Sequence, residues 1–150
     1  MRQTLAGFAT GLSVVAAEID GRIVGMPANS LASISLEPPL VALAFTDTST
    51  TWPVLQHAPT WGISILSENQ AAVLNALRRP TAERFKGVET VSHNGAVHIL
   101  GALATLTVRA HDFIEAGDHT LALLTVTDLR RDESQRPLVF FNSQTHTLSH

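Results

Sequence analysis

Gly25-Met26-Pro27-Ala28-Asn29-Ser30-Leu31-Ala32-Ser33-Ile34-Ser35-Leu36-Glu37-Pro38-Pro39 separates two apolar, β-like runs in a chain of 150 residues. The segment is too polar for an ordinary buried strand and too regular in pattern for a spacer. Small residues, one amide and three serines offer backbone N–H groups and short polar side chains, and two prolines close it. Such a segment suits close approach to something flat or phosphorylated. The competing reading is a β-bulge or irregular crossover that satisfies its own side-chain hydrogen bonds.

The flanking runs set the fold class. Upstream, residues 12–19 and 23–26 are apolar, with Asp20-Gly21-Arg22 between them. Asp-Gly signals a tight hairpin, because primed turns need the positive φ that glycine tolerates. Downstream, residues 40–45 form a continuous apolar run that fits a strand buried on both faces. Residues 61–66, 104–110 and 120–129 read as further strands, and Leu138–Phe141 as the last. In 104–110 the alternation is clean: Ala104, Leu106, Val108 and Ala110 on one face, Thr105, Thr107 and Arg109 on the other.

Helical signals are fewer. Residues 5–10 read as a short helix closed at Gly11. Thr51 is a candidate N-cap for a short helix beginning at Trp52-Pro53. Ser67 and Gln70 form an S-x-x-Q capping box that predicts a helix over 68–77, ended by Pro80, with a shorter piece over 81–85. Residues 88–95 read as an exposed loop, 115–119 as a break between strands, and 130–137 as a charged turn. About six hairpin-connected strands, one clear helix and short flanking helices predict a mainly β fold, an antiparallel barrel in one domain over 1–150. Closing the barrel removes edges that so apolar a chain would leave bare.

Composition narrows the partners. With 45% hydrophobic and 15% charged residues the chain is ordered, and so few charges point to surface hidden in a homo-oligomer. Net charge is −3 and Lys86 is the single lysine, so there is no basic stripe for nucleic acid. The absence of cysteine removes disulfides, zinc–thiolate sites and thiol catalysis, and suits the cytoplasm. Arg2 and the apolar run over 5–17 imitate a secretory signal, but Gly7, Thr10, Gly11 and Ser13 interrupt it. No run is long enough to span a bilayer.

Two further stretches carry chemistry. Thr48-Ser49-Thr50-Thr51 places hydroxyls and free N–H groups at a helix start, which suits a phosphate; the alternative is a capped, solvated turn. Gly117-Asp118-His119 sets a histidine beside a carboxylate at a strand entry. It reads as a general base, a metal ligand, a substrate clamp, or a turn in which Asp118 caps and His119 is solvated. No H-E-x-x-H or H-x-H spacing supports a metal site, and neither G-x-S-x-G nor G-x-G-x-x-G occurs.

The motifs gain force from their order. Phe8-Ala9-Thr10-Gly11, the segment over 25–30, Ser33 to Val41, Ser49-Thr50-Thr51-Trp52-Pro53, Glu83-Arg84-Phe85-Lys86-Gly87, Glu115-Ala116-Gly117-Asp118-His119-Thr120 and Pro137-Leu138-Val139-Phe140 follow one another. Together they resemble the flavin reductase-like, FMN-binding split-barrel family, nearly end to end. The resemblance implies a homodimeric, Greek-key-like split barrel that binds FMN or FAD near the dimer interface. It implies an NAD(P)H-dependent flavin reductase, with NADH or NADPH as hydride donor, that supplies reduced flavin to a partner monooxygenase. By the same resemblance Pro27, Ala28, Asn29 and Ser30 lie along the isoalloxazine edge, and Ser33, Ile34 and Ser35 continue that wall. Ser49, Thr50 and Thr51 match phosphate-binding hydroxyls, Arg84 and Phe85 lie near the phosphate and ribityl chain, and His119 matches the catalytic-site histidine beside the nicotinamide.

Hydride transfer requires stacked rings in near-attack geometry and donors aimed at the charge that develops on the flavin; it requires no nucleophile. His119 is therefore expected to position or to act electrostatically. The chain departs from the family pattern at Pro27, where Thr is common, at Asp47 or Thr48, where a basic residue is common, and at Asn142 and Thr145, in place of a basic and an aromatic residue. Those departures keep a second reading open, a flavin-binding module or oligomeric interaction domain without reductase activity.

Overall fold

The computed structural model describes residues 1–149, and most of them lie in antiparallel strands. The chain opens with one helical turn, α1 (Arg2–Leu5), and a two-residue strand, β1 (Thr10–Gly11). The helix expected over 5–10 does not form. A run this short with an internal glycine cannot offset the cost of helix nucleation, and Thr10 instead pairs with Phe140 far along the chain.

β2 (Ser13–Ile19) and β3 (Arg22–Ala28) form the predicted hairpin, with Asp20 at φ 52° and Gly21 at φ 75° in the turn. Pro27 sits inside β3, opposite Val14. It is tolerated because, among the described residues, β3 pairs with β2 alone and keeps one free edge. β4 (Ala32–Leu36) turns through Glu37-Pro38, whose peptide bond is cis, into β5 (Pro39–Thr46). The polar segment is thus mostly strand, and only Asn29-Ser30-Leu31 lies between β3 and β4. Ile34 is the extra residue of a bulge, since Ser33 faces Val41 and Ser35 faces Leu40.

After β5 come α2 (Trp52–Leu55), β6 (Trp61–Ile65) and α3 (Ala71–Leu77), then a 3₁₀ turn at Thr81–Glu83. α3 starts later than the capping box predicts. Gln70 Oε1 does accept the Ser67 N–H (3.0 Å), but Ser67 is held in a β-bridge to Pro137, and Gln70 Nε2 donates to the Leu100 carbonyl (2.9 Å). The box docks the helix instead of starting it at residue 68. The predicted loop over 88–95 is a hairpin, β7 (Thr90–His93) and β8 (Ala96–Ile99), turning at Asn94 (φ 51°) and Gly95 (φ 89°).

β9 (Ala104–Ala116) and β10 (His119–Arg131) are a long hairpin around Gly117-Asp118. They extend into the predicted break and the predicted charged turn. β11 (Leu138–Phe141) is not the last strand, because Asn142 (φ 51°) and Ser143 (φ 59°) turn the chain into β12 (Gln144–Thr147). The described residues therefore hold twelve strands in place of about six.

The main sheet runs β4-β5-β10-β9-β6-β2, with β3 beside β2 and β8-β7 continuing from the end of β2. Its inner faces meet in a core that includes Val15, Leu43, Phe45, Ile63, Val108 and Leu124. The other face of β2 is buried too: Val14 and Ala16 pack with Leu66, Leu74, Leu77 and Leu138 under α3 and β11. Among the described residues no ladder joins β3 to β4. The barrel is split there, and Asn29-Ser30-Leu31 crosses the opening. No helix is long and apolar enough to cross a membrane among the described residues.

Candidate functional site

The hydroxyl turn before α2 is anchored by Trp52. That side chain is buried, stacks on Phe45 with ring centres 4.2 Å apart, and meets Trp61 edge-on at 5.7 Å. Ser49, and not the predicted Thr51, satisfies the free N–H groups at the helix start: its Oγ accepts from the backbone N–H of Thr51 and of Trp52, each at 3.1 Å. Thr51 is only 2% exposed, and its Oγ1 accepts from Arg84 Nη1 at 2.9 Å. A guanidinium has donors only, so the direction of that bond is fixed.

Ser49 Oγ, which accepts two N–H groups, has only its proton left to offer, and among the described residues that proton finds only the Met26 sulfur, at 4.0 Å; Thr51 Oγ1 accepts one, so its proton is turned away from the guanidinium. This donor polarity matches a phosphate, which accepts only. α2 is a single turn, so the polarity comes from the hydroxyls themselves and not from a helix dipole. Thr50 is exposed beside them.

Arg84 ties this turn to β3. Its Nη1 also donates to the Gly25 carbonyl at 3.0 Å. Gly25 has no room for a side chain: a Cβ there would lie 2.5 Å from the Val15 carbonyl oxygen, 2.7 Å from Ala16 Cβ and 2.9 Å from Phe85 Cζ. Phe85 is half-buried behind it and packs on the core under α3. β3 then runs about 10 Å from Gly25 to Ala28, the scale of a sugar-phosphate side chain.

At the far end of β3 the split opens. Thr10, Ser13, Ala28, Asn29 and Leu31 line a cavity of ≈ 130 Å³. Ser13 Oγ donates to the Ala28 carbonyl (3.0 Å), whereas Thr10 Oγ1 is enclosed without a hydrogen-bond partner among the described residues. Asn29 also borders a depression of ≈ 510 Å³ shared with Arg2, Phe8, Asp118, His119 and Asn142, and one of ≈ 180 Å³ shared with Pro27, Ala28, Arg78 and Phe140. Pro27, Ala28, Asn29 and His119 thus come together around the split.

Other predicted residues do not join them. Ser30 Oγ accepts the Ala44 N–H at 3.0 Å, which pins the crossing to β5. Ser33, Ile34 and Ser35 sit on the edge strand β4 and line none of these three depressions. Thr10 stands in the opening motif, which assigns it no role, and no motif signals the contact of Met26 with Ser49 or the tight packing at Gly25. An unpaired hydroxyl has no sequence signature, because it depends on which neighbours the fold withholds.

His119 pairs with Ala116 at the β9–β10 turn, and its Nδ1 lies 2.6 Å from Asp118 Oδ1. An ionised carboxylate only accepts, so the Nδ1 proton is shared with Asp118 and Nε2 is the uncommitted ring nitrogen. The hydrogen bond to His119, and then its charge, hold the Asp118 carboxyl below the usual carboxylate range.

Residues 5–149 match the family model described as flavin reductase like domain. The chain belongs to the flavin reductase like family. Two curated relatives show how close it stands within that family. A flavin reductase from Pseudomonas putida is 33% identical over 142 residues, covering 93% of this chain and 84% of the relative. The reductase component of 4-hydroxyphenylacetate 3-monooxygenase from Thermus thermophilus is 37% identical over 142 residues, covering 93% and 89%. Among solved flavin reductases, the NADH:FAD oxidoreductase of Streptomyces globisporus, in complex with NAD and FAD fragments, superposes with a TM-score of 0.93 at 29% identity, over 99% of this chain and 90% of that one. The mainly β, antiparallel split barrel implied by the motif order is the fold observed.

Proposed function

We propose that this chain is an NAD(P)H-dependent flavin reductase that transfers hydride from NADH or NADPH to FMN or FAD and supplies reduced flavin to a partner monooxygenase. The observation that carries the assignment is the pair of donor-polarised hydroxyls, Ser49 and Thr51, joined by one length of β3 to the split that holds Asn29 and His119. Relatives named as flavin reductases and as monooxygenase reductase components support it.

The residues fit a flavin. Ser49 and Thr51 donate to its phosphate, with Arg84 orienting Thr51 and adding positive charge. Small Ala28 permits close approach at the ring end, where Thr10 has an unclaimed hydroxyl. Pro27 removes one backbone donor from the free edge of β3, but Asn29, outside the ladder, keeps both its N–H and its side-chain amide for the ring edge. A bound flavin supplies the hydride acceptor and the nicotinamide the donor. His119, oriented by Asp118 with Nε2 uncommitted, lines the depression that Asn29 borders and would orient the nicotinamide there; no proton abstraction is asked of it.

The active form is a homodimer. Leu36 is 87% and Ile34 51% exposed on β4, and a second copy covering that edge would bury them and bring Ser33, Ile34 and Ser35 to the wall of a groove. A cysteine-free chain suits a cytoplasmic enzyme.

The test is oxidation of NADH and NADPH by purified protein, with and without FMN and FAD. Flavin-dependent oxidation is the expected result, and its absence with every pair overturns the assignment. Flavin binding without turnover would favour a non-catalytic flavin-binding module, the role to which Pro27 and Asn142 point. His119→Ala is expected to lower NAD(P)H oxidation more than flavin affinity; an equal loss in both would remove His119 from the nicotinamide side.

A further inference from the structure

The connection after α3 carries a second arginine, Arg79, which has no part in the groove described above. It is half-buried, and its side chain donates only to backbone. Nε reaches the Ala76 carbonyl at 2.8 Å, and Nη2 reaches the carbonyls of Arg84 at 2.9 Å and Lys86 at 2.6 Å. Arg84 Nε returns a bond to the Arg79 carbonyl at 3.2 Å. Arg79 therefore closes the last turn of α3 and grips the carbonyls of the two residues that flank Phe85.

The grip fixes where the Arg84 head lies. From that backbone position Arg84 Nη1 reaches the Gly25 carbonyl and Thr51 Oγ1 together. With Arg84 Nη1 donating into Thr51 Oγ1, the Thr51 proton is turned away from the guanidinium toward a ligand; without that bond no side-chain contact of the described residues fixes the direction of the hydroxyl. We propose that Arg79 is a positioning residue for the phosphate end of the flavin groove. It acts through Arg84 on the direction in which Thr51 donates, and the proposal rests on the flavin assignment above. The arrangement needs a planar fork, since three carbonyls are reached from two nitrogens of one side chain, which a single ammonium on a flexible stem does not reproduce.

The ring end is built from Thr10, Ala28, Asn29 and His119, none of which Arg79 touches. Loss of the grip should fall on the phosphate and spare the ring. Riboflavin has the same ring and ribityl chain as FMN without the phosphate, so the two ligands separate the ends of the groove.

The experiment is a flavin-fluorescence titration of wild type, Arg79→Gln and Arg79→Lys with FMN and with riboflavin, alongside thermal melts. Wild type is expected to prefer FMN. Arg79→Gln should raise the FMN Kd about tenfold, the scale of one lost hydrogen bond to a charged group, and leave the riboflavin Kd nearly unchanged. Arg79→Lys should lose the FMN preference as well, although it keeps the charge; it carries the test alone where the glutamine variant does not fold.

An equal rise for both flavins would mean a merely structural role and overturn the proposal. So would full FMN preference in a folded variant, including full rescue by lysine, with the flavin assignment left standing. If wild type itself binds both flavins equally well, the phosphate assignment falls and Arg79's role with it. If neither variant folds, Arg79 is a folding residue and the proposal fails.

Discussion

Thr10 carries an enclosed hydroxyl with no partner, in a cavity whose other wall is Ala28 and Asn29. Thr10→Val keeps the shape and removes that oxygen. A buried polar atom left unpaired costs about 1–3 kcal/mol, so the flavin-free variant should melt no lower than wild type. Its flavin affinity should nevertheless fall, and melts with and without FMN measure both. Asp118 gives a second outcome at this scale. Its carboxyl titrates lower in the folded chain than in the unfolded one, so its pairing with His119 is fully present above the ordinary carboxylate range and is lost as pH falls through the lowered value. Carboxyl NMR should place its midpoint below that of an unpaired aspartate, and His119→Ala should move it back up. Neither change touches neutral pH, so an activity change there does not come from Asp118 titrating.

The elements show what local sequence reveals and what it does not. Asp20-Gly21 marks its hairpin because both flanking runs are apolar; Asn94-Gly95 makes the same kind of turn without such a mark, since β7 is an exposed edge strand with loop-like composition. In β10, register shifts after Leu123 and after Val126 break the period-two pattern against β9, which hides the true length of the hairpin. The residue types of the candidate site were legible: Asn29, Ser49, Thr51, Arg84 and His119 stand in recognisable motifs. The direction of their hydrogen bonds was not, because Arg84 and Thr51 meet across 33 residues of chain. Gly25 is the element-scale test. Gly25→Ala drives a methyl against the backbone of β2, which cannot yield as a flexible side chain would. The expected cost is about 1–3 kcal/mol or more, read as a lower urea midpoint, and FMN affinity should drop as Phe85 and Arg84 are displaced.

At the scale of the whole molecule, the split leaves β4 as an edge paired, among the described residues, only with β5. An exposed edge bearing Ile34 and Leu36 invites strand-to-strand association, and no charge on either residue guards against it. Light scattering should find a dimer. Leu36→Asp should shift it toward monomer with little effect on the protomer, since a change at so exposed a side chain is worth about 0.5 kcal/mol or less. A dimer that resists this substitution has its contact surface elsewhere. The low charged fraction and the family resemblance both point to a dimer; where its interface would lie depends on where the barrel opens, which no local pattern encodes.

The aromatic cluster beneath α2 has one more consequence. The chain has no tyrosine and two tryptophans, and those two rings touch each other in that cluster. Its ultraviolet emission therefore arises from a single place, and Trp52 follows directly on the hydroxyl that Arg84 holds. Flavins absorb where tryptophan emits. A ligand seated against Ser49 and Thr51 would dim that glow, so the protein carries a built-in optical gauge of its own occupancy.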